Sequence, residues 1–176
     1  MKIVVLKFGG TSVGTIEKIK KVTDIIIEHK KKKNKVIVVS SAMSGVTNDL
    51  IKKSKQISNN FIDSEYDVLV SSGEQVACSL IAGRLNHKGF KSRSWLGWQI
   101  PIFTNGPYTN SRIQQVNKNK LLRFLKEGGI PIITGFQGVN MNERVTTIGR
   151  GGSDASAIMI AKSFKAQRCI IYTDVE

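Results

Sequence analysis

The sequence lacks any apolar run long enough to cross a membrane. A membrane-spanning helix needs about 20 consecutive apolar residues, and no stretch of this 176-residue chain approaches that length. The N-terminus enters an apolar strand pattern directly and shows no signal-peptide pattern. These two absences predict a cytoplasmic protein with no membrane partner.

Cysteine is scarce, and patterns typical of metal sites are missing. The two cysteines, Cys78 and Cys169, are far apart in the chain and form no metal-type cluster. Both lie in apolar patterns, which predicts reduced thiols in the protein core. We expect no metal site held by protein side chains alone.

Acidic residues are few compared with basic ones. The chain has 27 Lys and Arg against 13 Asp and Glu, a formal net charge of +14. Such a balance is typical of proteins that bind nucleic acid or an anionic substrate. The lysines are scattered, however, and the densest run, residues 30–33, ends a predicted helix, where the helix dipole favours cations. No RNA-binding aromatic signature accompanies them. We therefore favour a solvated lysine-rich surface and expect no nucleic-acid partner.

The composition is that of a globular protein with one core. Hydrophobic residues make up 40% and charged residues 23% of the chain. At this length the chain can bury one sizeable core, so we expect a single domain over residues 1–176.

The first glycine pair is the most informative feature. Residues 3–6 form an apolar run typical of a strand buried on both faces of a parallel sheet. Lys7 ends the run, and Gly9 and Gly10 leave the backbone bare just before a helical pattern. Bare N–H groups and a helix N-terminus can hold phosphate oxygens. The lysine precedes the glycines, so this is neither GxGxxG nor GxxxxGK[ST]. Taken alone, an ordinary strand-to-helix turn is an equally good interpretation.

A strand, a helix and a second strand follow this pattern. Apolar residues recur at helical spacing over residues 15–33, and residues 36–39 form a second apolar strand. Such a βαβ unit implies right-handed parallel pairing. The second strand ends in a hydroxyl-rich loop over residues 40–48, where parallel sheets bind ligands. Hydroxyl groups there can bind a carboxylate or a phosphate; the alternative is helix capping by Thr47 or Asn48.

A polar linker around residues 56–65 separates two further helical segments, and the second of them, predicted over residues 66–87, contains Gly73 and Glu74. Glycine inside a helix usually has a local reason. Glu74 could bind a substrate ammonium, although a surface glutamate is the favoured interpretation of this residue alone. The apolar positions predicted to share one buried face are Leu69, Val76, Leu80, Ile81 and Leu85.

The remaining patterns predict further strands, a helix and small antiparallel pieces. Strands are predicted over residues 90–96, 130–134 and 170–173, and the helix over residues 117–126. Antiparallel pieces are expected around residues 101–113, and a hairpin before residue 147.

A second glycine pair, Gly151 and Gly152, again precedes a helix, whose apolar face is predicted to include Ile158 and Phe164. Ser153 or Asp154 is predicted to cap this helix. Arg150 offers a planar fork suited to a carboxylate or a phosphate, and an aspartate placed between the two glycine turns can orient a lysine. Asp174 follows the last strand, where nucleotide riboses are often held.

Six motifs occur in the order found in one enzyme family. They are KFGGTS at residues 7–12, SAM at 41–43 with TN at 47–48, SGE at 72–74, GFQG at 135–138, GRGGSD at 149–154 and YTD at 172–174. Together they resemble the catalytic domain of aspartokinase, in the amino-acid kinase superfamily. The superfamily alone leaves glutamate 5-kinase, acetylglutamate kinase, carbamate kinase or uridylate kinase open, and the first and fifth motifs point to aspartokinase. The resemblance implies an α/β fold with a mainly parallel sheet between helices, incomplete at the C-terminus.

The resemblance also implies an activity: transfer of the γ-phosphoryl group of ATP, bound with Mg²⁺, to the side-chain carboxylate of L-aspartate. By motif position, the catalytic residues would be Lys7, which stabilises the phosphoryl charge, and Asp154, which holds Lys7. Residues implied to bind the substrate are Ser41, Thr47, Glu74, Phe136, Arg150 and Ser153. Residues implied to bind the nucleotide are Lys7, Phe8, Gly9, Gly10, Ser12, Thr173 and Asp174.

The family's pattern continues beyond the last residues of this chain. A segment that completes the nucleotide site and small regulatory domains would follow, so we expect a fragment or a truncated product with weak ATP binding. The full-length protein would be a homo-oligomer. The alternative from another functional class is a non-catalytic basic binding module, which the charge of +14 would explain.

Overall fold

Nine strands and five helices lie within the residues that the computed structural model describes, which are 2–149 and 151–174. The strands are β1 (Ile3–Phe8), β2 (Lys35–Ser40), β3 (Ser92–Trp95), β4 (Ile102–Asn105), β5 (Arg112–Val116), β6 (Ile130–Thr134), β7 (Gln137–Val139), β8 (Val145–Thr147) and β9 (Arg168–Tyr172). The helices are α1 (Ile16–Lys31), α2 (Val46–Ile57), α3 (Asp63–His87), α4 (Asn119–Lys126) and α5 (Gly152–Ser163). None of these helices is long and apolar enough to cross a membrane.

The central sheet has five strands in the order β3-β6-β2-β1-β9, and every neighbouring pair is parallel. The inner strands β1, β2 and β6 are apolar runs of the sequence and are buried almost throughout, whereas the edge strands β3 and β9 also carry exposed residues. Parallel sheets are covered on both faces, which is why these runs are continuous rather than alternating. The predicted fold class, a mainly parallel sheet between helices, is confirmed.

Side chains from each central strand alternate between two cores. Leu6 and Val38 pack with residues of α1 and α3 on one face of the sheet. Val5 and Ile37 pack with residues of α4 and α5 on the other face. This alternation decides that Lys7, the neighbour of Leu6, lies on the α5 side.

A second, smaller sheet has the strand order β5-β4-β7-β8. The pairs β4–β5 and β7–β8 are antiparallel, and β4 pairs with β7 in parallel. The predicted antiparallel pieces and the predicted hairpin are therefore confirmed. This sheet forms one wall of the cleft described below.

The predicted apolar face of α3 is partly wrong. Ile81 and Leu85 are buried as expected, but Val76 and Leu80 are 50% and 37% exposed. The buried positions of the N-terminal half are instead largely polar and include Asp67, Ser71 and Glu74. Asp67 in this half contacts Thr147 of β8, and Gly73 lies against Ala42 and Val46. Because these contacts are partly polar, apolar periodicity does not mark the buried face.

Two other burial predictions are also wrong. Cys169 is exposed because β9 is the outermost strand of the sheet, whereas Cys78 is buried as predicted. Ile158 is 54% exposed, and α5 buries Ala157 and Ile160 towards the sheet instead.

Two glycine substitutions test the packing around these elements. A Cβ at Gly138 would lie 2.6 Å from the carbonyl oxygen of Ile102 and would also collide with Thr104, so Gly138→Ala should destabilise the protein by about 1–3 kcal/mol. A Cβ at Gly83, inside α3, would meet nothing within 4 Å. Gly83→Ala should therefore stabilise the protein by roughly 0.5–1 kcal/mol. Chemical denaturation midpoints measure both changes, and equal effects of the two substitutions would contradict this packing.

Candidate active site

A cleft of about 660 Å³ opens where β1 and β2 end, between α3, α5 and the second sheet. It lies at the carboxyl edge of the parallel strands, where α/β proteins bind ligands. The cleft brings together eight residues predicted from sequence. They are Lys7, Gly10, Ser41, Thr47, Glu74, Phe136, Ser153 and Asp154.

Lys7 places a positive charge in this cleft. Its side chain is largely buried, and its Nζ lies 2.6 Å from Oδ1 of Asp154 in the first turn of α5. The Asp154 side chain remains 46% exposed, so the pair lies at the cleft surface rather than in the core. The aspartate restricts where the ammonium can lie, and it leaves the remaining N–H donors of Lys7 for a ligand.

The first glycine pair does not open a helix directly, contrary to the prediction. Residues 10–14 form turns, and α1 begins at Ile16 with Thr15 as its N-cap. The Gly9 N–H donates to the carbonyl oxygen of Tyr172 at 3.1 Å, which ties this loop to the end of β9. An anion at this loop would therefore contact the loop backbone and not a helix N-terminus.

The predicted nucleotide residues around this loop differ in exposure. The Phe8 ring is fully buried and stacks on Tyr172 with ring centres 4.8 Å apart. Ser12 is also fully buried. These two side chains stabilise the loop, and the accessible residues that the loop offers to a ligand are Gly10 and Thr11. Thr173 and Asp174 are exposed next to the loop but outside the cleft lining.

The second glycine pair opens α5 as predicted, but the predicted side-chain cap is wrong. The N-cap is Gly151, in the left-handed conformation with φ of 75°, and neither Ser153 nor Asp154 caps the helix. Their side chains therefore face the cleft instead.

Helix α2 starts in the same way, at Gly45, so neither Thr47 nor Asn48 acts as its cap. The remaining predicted substrate residue, Arg150, lies outside the described residues.

Glu74 is buried in the cleft wall and is not a surface residue. Its Oε1 accepts a hydrogen bond from the Ala42 N–H at 3.2 Å, and its Oε2 has no partner among the described residues. Burial raises the pKa of Glu74 to about 7, against the lowering effect of its backbone hydrogen bonds. A buried carboxylate oxygen without a donor is costly. A ligand that brings a cation or an N–H donor would remove that cost.

The glycine inside α3 has a packing role next to Glu74. A Cβ at Gly73 would lie 2.9 Å from the Cβ of Ala42 and 3.2 Å from Val46. The missing side chain lets α3 approach the loop after β2, and this approach brings Glu74 to the N–H of Ala42. The local reason that the sequence suggested for this glycine is therefore close packing.

Several residues that line the cleft carried no recognisable sequence signal. Tyr66 precedes the motif on α3, whereas Thr109 and Thr147 come from the second sheet and its loops. Burial raises the pKa of Tyr66, and the charges of Asp67 and Asp63 raise it further. Threonines in short antiparallel pieces are common, so nothing in their spacing marks a site.

A second cleft, of about 570 Å³, lies between β3 and α4 and is rich in cations and aromatic rings. Most of these cations already have partners. The Arg93 guanidinium stacks 4.1 Å from the Trp95 ring, and Arg123 pairs with Glu127 at 3.3 Å. Within residues 2–149 and 151–174 there is also no group of three or more His, Cys, Asp or Glu residues that could hold a metal. The cleft at Lys7 is therefore the better candidate for chemistry.

Comparison with known proteins shows the family of this chain. Residues 2–176 match the amino acid kinase family. The chain belongs to this family. Aspartokinase from Geobacillus stearothermophilus is 48% identical over 175 residues, which are 99% of this chain and 43% of that protein. This member of the amino acid kinase family thus spans less than half the length of the curated relatives that it matches.

Solved structures of aspartate kinases are also similar to this chain. E. coli aspartokinase III in complex with aspartate and ADP matches with a TM-score of 0.87 and 26% identity, over 99% of this chain and 49% of that chain. Aspartate kinase from Synechocystis matches with a TM-score of 0.83 and 39% identity, over 98% of this chain and 28% of that chain. The observed α/β fold is therefore the amino acid kinase fold.

The raised pKa of Glu74 predicts a pH-dependent stability. The folded state holds this proton more tightly than the unfolded chain, whose carboxyl has its ordinary value of 4.5. The free energy of unfolding should therefore fall as pH rises from about 4.5 to 7 and stay level above. Glu74→Gln removes this contribution, so its stability relative to wild type should rise by about 2–3 kcal/mol between pH 5 and pH 8.

Denaturant unfolding at several pH values measures this difference. Glu28→Gln, the same change at an exposed position of α1, is the matched control and should show no such trend. Parallel curves for wild type and Glu74→Gln across this pH range would show that Glu74 has an ordinary pKa.

Proposed function

We propose that this chain is the acceptor-binding part of an aspartate kinase. The enzyme would transfer the γ-phosphoryl group of ATP to the side-chain carboxylate of L-aspartate and give 4-phospho-L-aspartate, the first step toward lysine, threonine and methionine. The observation that carries the proposal is that Glu74, buried with one oxygen that has no partner among the described residues, shares one cleft with the Lys7–Asp154 pair. The Glu74 carboxylate suits an amino-acid ammonium, and the Lys7 ammonium suits a phosphoryl group. The relatives named above support aspartate as the acceptor.

Lys7 would act on the transferring phosphoryl group. Phosphoryl transfer needs positioning and charge neutralisation rather than covalent catalysis. The Lys7 ammonium would stabilise negative charge that develops on the phosphoryl oxygens, and Asp154 would keep it in place. Because the ion pair exists before any ligand binds, the charge does not have to be reorganised during the reaction.

The acceptor would be held by its ammonium and its two carboxylates. Glu74 would bind the ammonium, and Arg150, for which the proposal rests on the motif alone, would bind the α-carboxylate. The reacting carboxylate would accept hydrogen bonds from hydroxyl groups at the cleft wall, and the Phe136 ring would limit the cleft. The hydroxyl groups are those of Ser41, Thr47 and Ser153.

ATP would approach over the glycine loop at the end of β1. The loop from Phe8 to Ser12 would face its phosphates through the accessible backbone of Gly10 and Thr11, and Thr173 and Asp174 would lie towards the nucleoside. Mg²⁺, when bound, would neutralise phosphate oxygens, and it would be held mainly by ATP and water because the carboxylate nearest to Lys7 is already paired. We also propose, from the resemblance alone, that the full-length protein is a cytoplasmic homo-oligomer in which residues 1–176 supply the acceptor site.

A hydroxamate assay for acyl phosphate tests the proposed activity. In the full-length protein that contains this chain, ATP and aspartate together should give product, and omission of aspartate should abolish it. No aspartate-dependent signal would contradict the proposal. A basic binding module would instead bind nucleic acid with an affinity that falls steeply with salt. A higher kcat/KM with glutamate or acetylglutamate would assign the chain to a sister kinase.

Two substitutions separate the roles of the cleft charges. Lys7→Ala should lower kcat roughly a hundredfold to a thousandfold because it removes charge stabilisation from the transition state. Glu74→Gln should raise KM for aspartate roughly tenfold to a hundredfold with a smaller effect on kcat, because the ammonium does not react. Steady-state kinetics measure both, with Lys20→Ala on the exposed face of α1 as the control. Equal losses of kcat in the two cleft variants would mean that these roles are misassigned.

A further inference from the structure

We infer that Asp67 is a positioning residue that holds one wall of the cleft and thereby sets the affinity for the acceptor. Asp67 is fully buried on α3 and belongs to none of the groups proposed above to touch a reactant. The wall consists of Thr109 and Thr147, both of which line the cleft. The inference rests on the proposed function, since it concerns the same site.

The Asp67 carboxylate uses both oxygens to join α3 to two other segments. The Thr109 N–H lies 3.1 Å from Oδ1 and 3.0 Å from Oδ2. The Thr147 N–H donates to Oδ2 at 2.9 Å, and the Thr147 hydroxyl donates to Oδ1 at 2.6 Å. All these donors are neutral and form charge-assisted hydrogen bonds, which are stronger than bonds between neutral groups. One side chain therefore fixes the end of β8 and the loop between β4 and β5.

Thr109 is in a conformation that needs such support. Its φ is +65°, in the left-handed region, which is unusual for a β-branched residue. Its N–H faces both carboxylate oxygens of Asp67. Since strained backbone persists only where the surroundings determine it, Asp67 is the contact that selects this conformation.

The same wall lies against the turn that precedes the second glycine pair. The Ser111 N–H donates to the carbonyl oxygen of Thr147 at 2.9 Å. Asn110 lies so close to Gly149 that a Cβ there would be 2.6 Å from the Asn110 Oδ1. A shift of Thr109 would therefore be transmitted to Gly149, which also lines the cleft. The acceptor side of the site, not the glycine loop of β1, depends on Asp67.

Asparagine can replace the carboxylate in this arrangement only in part. Each oxygen of Asp67 accepts from both Thr109 and Thr147. An amide has one oxygen and no charge; its NH₂ group could donate to the Thr147 hydroxyl, but it cannot accept from the Thr109 N–H. Asp67→Asn therefore keeps the size of the side chain but loses the charge of the acceptor and the contact of one oxygen with the Thr109 N–H.

Steady-state kinetics of the full-length protein test this inference. Asp67→Asn should raise KM for aspartate about tenfold or more, lower kcat less than about threefold, and leave KM for ATP within about twofold of wild type. Asp63→Asn is the same change at an exposed position of the same helix and should leave all three values unchanged. A folded Asp67→Asn variant with wild-type KM for aspartate would overturn the inference, as would an equal rise in both KM values.

A second variant separates positioning from general stability. Glycine adopts positive φ without strain, so Thr109→Gly in the Asp67→Asn background should recover a large part of the lost aspartate affinity. Persistence of the full KM defect in the double variant would overturn the link to Thr109. If Asp67→Asn alone does not fold, Thr147→Val, which removes only one donor, should raise KM for aspartate about threefold, and an unchanged KM would overturn the inference. Wild-type protein without aspartate-dependent product would instead contradict the proposed function itself.

Discussion

The ion pair between Lys7 and Asp154 is the contact on which the candidate site depends. It joins the first strand of the central sheet to the first turn of α5, at a separation of 2.6 Å. The two elements are far apart in sequence but adjacent in space, because β1 lies inside the parallel sheet and α5 packs on one of its faces. An ammonium held in this way stays at the edge of the sheet where ligands bind, instead of extending into solvent.

Helix α3 contributes two buried carboxylates with opposite hydrogen-bonding states. Asp67 accepts hydrogen bonds at both oxygens and joins parts of the fold. Glu74, two helical turns further along the same helix, keeps one oxygen without a donor among the described residues. Asp67, whose oxygens are both hydrogen-bonded, holds the wall of the cleft. Burial raises the pKa of Glu74, and its second oxygen is available to a ligand. Positioning of the cleft wall and direct contact with a ligand are thus assigned to different residues of one helix.

Sequence patterns predicted the fold well where packing is simple. The inner strands of the central sheet were placed correctly, because burial on both faces produces continuous apolar runs. The start of α5 was placed correctly from its glycine pair. The same reasoning misplaced Val76 and Leu80, since it assumed that the buried face of α3 is apolar. It also predicted side-chain caps where Gly45 and Gly151 form the N-caps through a left-handed backbone. That conformation depends on the loops around each helix start.

The sequence by itself determined the order of strands and helices, the parallel sheet and the motifs that end its strands. These properties are local, because periodicity and glycine placement act within a few residues. The tertiary structure alone decided that Glu74 is buried with a pKa of about 7, and that Asp67 reaches Thr109 and Thr147. Desolvation and hydrogen bonding depend on tertiary contacts between segments that are distant in sequence, and short sequence patterns do not specify those contacts.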